Sequence, residues 1–152
     1  MKKIFAFFLA ACLAFSLTSC GEKEQAVTLT IEDSGVYEEY TIKAAGDLIH
    51  TIEQTTTMEC SGYTEDQLDI LQDFIDEYKA VYADIEGVTY DASISETAMV
   101  ERIKIDVSNE AAVSALTEAD LLPLEGEGDL SFEKTVASMK KQGWTEKESS
   151  EK

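Results

Sequence analysis

The chain has 152 residues, with 31 acidic side chains against 12 basic ones and a formal net charge of −19. That balance excludes a nucleic-acid partner, whose binding rests on Lys and Arg neutralising phosphates. It also argues against a body lying flat on anionic lipid, which attracts basic segments rather than acidic ones.

Residues 1–19 read as an address. Met1, Lys2 and Lys3 form a positive start, and Ile4 to Phe15 is an uncharged apolar run. Small residues close the segment before a cysteine, which completes the pattern of a signal peptide. The run falls short of the ~20 residues that span a bilayer. Leu17-Thr18-Ser19-Cys20 resembles the lipobox of bacterial lipoproteins. That resemblance implies diacylglyceryl transfer to the Cys20 thiol and cleavage between Ser19 and Cys20. Two acyl chains bury roughly thirty methylenes at about 0.8 kcal/mol each, enough to hold, whereas one chain binds reversibly.

The expected mature chain starts at Cys20 and has 133 residues, enough for one domain with one core. The leader takes two basic residues and no acidic ones, leaving 10 against 31, a net charge of −21. A charge of this size keeps a protein soluble. Cys12 leaves with the leader and Cys20 carries lipid, so Cys60 stands alone and no internal disulfide is expected. Residues 20–25 are expected to form a short lipidated linker, followed by a single domain over 26–144 and a polar tail over 145–152.

Val27, Leu29 and Ile31 alternate with Thr28, Thr30 and Glu32, the period of a half-buried strand. Asp33-Ser34-Gly35 has turn chemistry, and alternation resumes through Val36, Tyr40 and Ile42. Gly46-Asp47 makes a second turn. Leu48 to Met58 follows, rich in β-branched residues that suit a pleated surface. These segments predict a three-stranded antiparallel meander.

Thr64 and Gln67 form a capping box that opens a helix. Leu68, Leu71, Ile75, Tyr78, Tyr82 and Ile85 recur at spacings of three and four, with Ile70, Phe74 and Val81 widening the apolar arc. Asp66, Asp69, Asp73, Asp76 and Glu77 fall opposite, and Gly87 ends the helix. Val88, Tyr90, Ala92 and Ile94 predict a strand; Met99, Ile103, Ile105 and Val107 predict its partner after a turn near Ser95-Glu96.

Ser108 or Asn109 can cap a short helix through Leu116. Leu121-Leu122-Pro123-Leu124 breaks it, and the loop from Glu125 to Asp129 is acidic and Gly-containing. Ser131 caps a last helix through Gln142, with Lys140 and Lys141 in its final turn and Gly143 in the C′ position. From Thr145 the chain is polar and expected to fray. The order β-β-β-α-β-β-α-α predicts an α+β fold: an antiparallel sheet of about five strands with helices packed on one face, in two layers.

Candidate chemistry is sparse. Glu125, Glu127 and Asp129 invite a calcium reading, since hard cations take several oxygen ligands, but the twelve-residue EF-hand pattern is absent. His50 is the sole histidine, and with Cys60 it falls short of the three or four ligands of a zinc site. No serine sits in a Gly-x-Ser-x-Gly element and no glycine loop is built to cradle phosphate. Accordingly no catalytic residue, metal or cofactor is expected. Lys134, Lys140, Lys141, Lys147 and Lys152 concentrate half of the mature chain's basic residues near its end. Docking of that end on the acidic body is the more economical reading; display to a partner is the other.

Gly87-Val88-Thr89-Tyr90 opening a strand pair, and the closing Lys141-Gln142-Gly143-Trp144, together with the lipobox and this order of elements, resemble the YehR-like family of small bacterial lipoproteins. The resemblance covers most of the mature chain and implies an α+β domain on the cell surface; it carries no catalytic residue with it. The expectation is a lipoprotein anchored through Cys20 to the extracytoplasmic face of the cell membrane, serving as a non-enzymatic binding or interaction domain for a protein, peptide or small molecule. The alternatives are a small envelope enzyme using His50, Cys60 or a carboxylate pair, and a low-affinity cation-binding lipoprotein.

Overall fold

The computed structural model describes residues 22–119, 121–122 and 130–147. The expected leader, Cys20, the acidic loop over 125–129 and Lys152 lie outside these residues. The elements run β1 (Glu24–Asp33), β2 (Val36–Ala45), β3 (Leu48–Glu59), α1 (Glu65–Ala83), β4 (Val88–Ile94), β5 (Ala98–Asp106), α2 (Glu110–Glu118), α3 (Phe132–Lys141) and β6 (Thr145–Glu146). The strands form one antiparallel sheet in the order β4-β5-β3-β2-β1-β6. The fold is α+β as expected, with six strands in place of about five.

The extra strand corrects the reading of the end of the chain. Gly143 adopts a positive φ of 104°, which glycine reaches without a Cβ clash, and turns the chain back after α3. Trp144 then packs edge-on against Tyr40, with ring centroids 5.0 Å apart. This places Thr145 opposite Thr30 and Glu146 opposite Leu29, where a frayed tail was expected. At the other end β1 begins at Glu24, inside the expected linker, because Glu24 and Gln25 pair with Ala45 and Ala44.

Local signals explain the helix starts. Thr64 and Gln67 close both halves of the capping box, and Asn109 rather than Ser108 caps α2 by accepting from the Ala111 and Ala112 amides. Ser131 caps α3 by accepting from the Lys134 amide. Helix α1 stops at Ala83, one turn before Gly87, which sits in the following turn with φ of 89°.

Register places side chains from distant parts of the chain in rows across the sheet. The first row on the helix-covered face is Val27, Ile42, Ile52, Ile105 and Val88; the second is Leu29, Tyr40, Gln54, Ile103 and Tyr90. These rows, with Leu116 of α2, Met139 of α3 and Tyr82 of α1, make up most of the core. A bulge between Lys43 and Ala44 leaves His50 as the extra residue on β3. It lets Ile49 and Ile52, three positions apart, both point inward and both be buried. No described helix is long and apolar enough to cross a membrane.

Candidate functional site

The third row on the covered face breaks the apolar pattern. It reads Ile31, Glu38, Thr56, Glu101 and Ala92 from β1 to β4. Glu38 and Glu101 occupy inward-facing parity on strands that flank β3, about 10 Å apart at the backbone given the spacing of neighbouring strands. Both are half-buried. Ion pairs among the described residues involve neither of them. Burial raises the Glu38 carboxyl above the ordinary glutamate value, and the charge of Glu101 raises it further.

Tyrosines surround this pair. Tyr82 of α1 is 4% exposed and lies between two other rings, stacked on Tyr90 of β4 at 5.1 Å and on Tyr78 at 6.2 Å. Tyr40 of β2, 6% exposed, stands one row from Glu38 and carries Trp144 against its ring. Burial pushes the phenols of Tyr40, Tyr82 and Tyr90 upward, and Glu101 adds to the shift of each. They therefore stay protonated throughout the physiological range. Burial comes first for Tyr90, and the neighbouring Glu101 carboxylate makes its phenol hold the proton more firmly still. Gln54, beside Tyr40 on β3, donates to the Thr56 hydroxyl at 3.3 Å.

Above the cluster the helix layer opens. Ile70, Phe74, Tyr78 and Val81 follow one another at spacings of four, four and three along α1 and are all exposed, Ile70 at 55% and Phe74 at 54%. At 100° per residue they form one stripe beside the buried stripe of Ile75 and Tyr82. Tyr78 joins the two stripes through its stack on Tyr82. The exposed Tyr78 ring at the end of the stack, protonated hydroxyls and two carboxylates with no ion-pair partner among the described residues suit recognition of a positively charged group.

The residues singled out in the sequence are not brought here. His50 lies at the Leu48 end of β3, half-buried, with Nδ1 2.9 Å from the Thr51 hydroxyl and Nε2 3.1 Å from Glu24. Cys60 lies past the opposite end of β3, buried, its thiol 3.6 Å from the Met58 carbonyl. Ten residues of strand set the two roughly 30 Å apart, too far to act on one substrate. Among the described residues no group of three or more His, Cys, Asp or Glu side chains is placed to hold a metal ion.

The acidic stripe of α1 is exposed along its length. Lysines near the end of the chain bond to the body or to each other's neighbours: Lys147 with Glu39 of β2, and Lys140 with Glu146 at 2.7 Å. A shallow depression of about 300 Å³ on the outer face is lined by Glu32, Tyr37, Thr57, Glu59 and Thr97. One signal in the sequence could have found the tyrosine–glutamate cluster. Glu38 and Glu101 sit at the parity of Tyr40 and Ile42, and of Met99 and Ile103, where apolar residues were expected.

Comparison with known proteins agrees with this fold. A solved structure of the Escherichia coli YehR protein superposes with a TM-score of 0.69 at 18% identity, covering 86% of this chain and 95% of that one. A structure of a protein from Streptococcus pneumoniae TIGR4 gives a TM-score of 0.63 at 15% identity, covering 97% and 99%. No curated protein matches the sequence at a significant level. Residues 25–145 match the family model described as "Protein of unknown function (DUF1307)". The chain belongs to that family and is YehR-like in fold.

Proposed function

We propose that this protein is a lipid-anchored binding domain, held through Cys20 on the extracytoplasmic face of the cell membrane and recognising its ligand at the tyrosine–glutamate face. The tether rests on the sequence: a positive start, an apolar run and Leu17-Thr18-Ser19-Cys20. The binding role rests on one observation, the two half-buried carboxylates Glu38 and Glu101 set among tyrosines, with neither paired to a Lys or Arg among the described residues. A fold gains nothing from holding like charges together at its partly dry centre, where each loses hydration. Groups kept at such a cost are candidates for function.

Two measurements test the two halves. Cells grown with radiolabelled palmitate are expected to label the wild-type chain and leave Cys20→Ser unlabelled; an unlabelled wild type would defeat the anchor. For the face, the protein is screened by nuclear magnetic resonance against a mixed library of amines, carboxylates and neutral fragments. Shifts are expected at Tyr82, Tyr90 and Trp144. Shifts confined to the outer face, or turnover of a hydrolase or redox substrate, would defeat the binding reading.

A further inference from the structure

We infer that the occupant of this face is an extended, amphipathic peptide segment of a partner protein, with a Lys or Arg side chain seated over Glu38 and Glu101 and apolar side chains against α1. The inference rests on the binding role proposed above and names its ligand class.

Charge complementarity selects a cation. Glu38 and Glu101 face the same side of the sheet across Thr56, and no described Lys or Arg pairs with either. The nearby described cations are engaged elsewhere: Lys43 and Lys104 with Glu53 on the outer face, Arg102 with Asp91, and Lys147 with Glu39. Tyr82 is sandwiched between Tyr78 and Tyr90, so the ring left to meet a cation is the exposed Tyr78 at the end of the stack, and aromatic faces attract ammonium and guanidinium groups.

Size separates the classes of cation. A bare divalent ion wants six or more oxygens converging within about 2.5 Å, whereas these carboxylates spring from backbones about 10 Å apart. A small free amine would cover the carboxylates and leave the helix stripe wet. From Ile70 to Val81 the stripe runs eleven residues, about 16 Å at 1.5 Å per residue. Five residues of extended chain span the same length at roughly 3.3 Å each. A peptide with alternating apolar and basic side chains therefore meets both features at once, pressing its apolar face on Ile70, Phe74 and Tyr78. The face is also ill suited to an anionic lipid surface, since a body this acidic is repelled by it.

The test titrates the full-length protein, kept in neutral detergent, with acetyl-Leu-Lys-Phe-Lys-Leu-amide while following Trp144 emission; the peptide has no tryptophan of its own. The neutral peptide with Gln in place of Lys is the control. Saturable binding of the Lys peptide is expected, at least about tenfold tighter than the Gln peptide. Glu38→Gln with Glu101→Gln should remove that preference, and Phe74→Ser should weaken both peptides. Asp73→Asn, on the solvent side of α1, should change neither. Thermal melts establish that each variant is folded before titration. Equal binding of the two peptides, or a double variant that keeps the preference, overturns the inference. If the Lys peptide does not bind at all, the inference is lost. The fragment screen then decides separately whether the face binds anything else.

Discussion

Two carboxylates of opposite behaviour show how much a single position depends on its neighbours. Glu38 has its proton affinity raised by burial and by Glu101, so the native state binds a proton more readily than the unfolded chain does. Its contribution favours folding below the ordinary glutamate value and is lost as pH rises through the raised one. Glu38→Gln is therefore expected to raise the melting temperature at pH 7, with the gain shrinking towards pH 4. The group is only partly buried and keeps some of its hydration, so the gain should stay below about 1 kcal/mol. Asp47 has the opposite sign. It accepts from the Glu133 amide at 2.8 Å and the Ser131 hydroxyl at 2.7 Å, which hold its carboxyl below the ordinary range. That contribution is present above the unfolded value and disappears as pH falls through the lowered one. Asp47→Asn should thus lose stability at neutral pH and converge on the wild type in acid, as read by thermal melts across pH. Ser131→Ala removes both this bond and the cap of α3, and should cost about 1 kcal/mol or somewhat more in urea unfolding.

At the scale of elements, the sheet carries the stability and α1 carries the exposed surface. Ile52 is fully buried at the centre of the first row, between Ile42 and Ile105. Ile52→Ala should cost roughly 2–5 kcal/mol through lost burial and the cavity left behind. Phe74→Ser removes a larger apolar side chain from the exposed stripe, yet should change stability by less than about 0.5 kcal/mol. Denaturant titration of both variants measures the contrast; a large loss at Phe74 would mean that α1 is covered as a core helix is. The elements themselves were legible because their signals are local: the period-two runs of β1 and β5, the Thr64–Gln67 box, the Asn109 and Ser131 caps. What remained hidden was non-local. Thr145 and Glu146 form a strand through pairing with Thr30 and Leu29, next to the contact of Trp144 with Tyr40, all more than a hundred residues earlier. Glu38, Thr56 and Glu101 share a row because three strands pair in one register, which the spacing within any one strand does not state. His50 and Cys60 attracted attention by residue type alone, and the fold sends them to opposite ends of β3.

For the molecule as a whole, the proposed tether and the proposed binding face belong to opposite ends of β1. The strand begins at Glu24, four residues after Cys20, and reaches the row of Glu38 and Glu101 at Ile31. Seven residues of strand put that row roughly 23 Å from the start of β1. Gly21 to Lys23 reach at most about 11 Å when extended, so the proposed tether would hold the near end of the sheet close to the bilayer. On that proposal the row with the two carboxylates would stand off from the headgroups, where a partner's segment could reach it. Single cysteines at Lys23 and at Glu32 report the two ends, and buried Cys60 is shielded from the label. Each variant, lipidated and reconstituted in vesicles, carries a thiol-linked fluorophore and is exposed to a headgroup-attached quencher. The label at position 23 should be quenched strongly and the label at position 32, about 30 Å farther along β1, only weakly. Equal quenching at both positions would mean that the domain lies on its side against the membrane, with the tyrosine–glutamate face no farther from lipid than the tether itself.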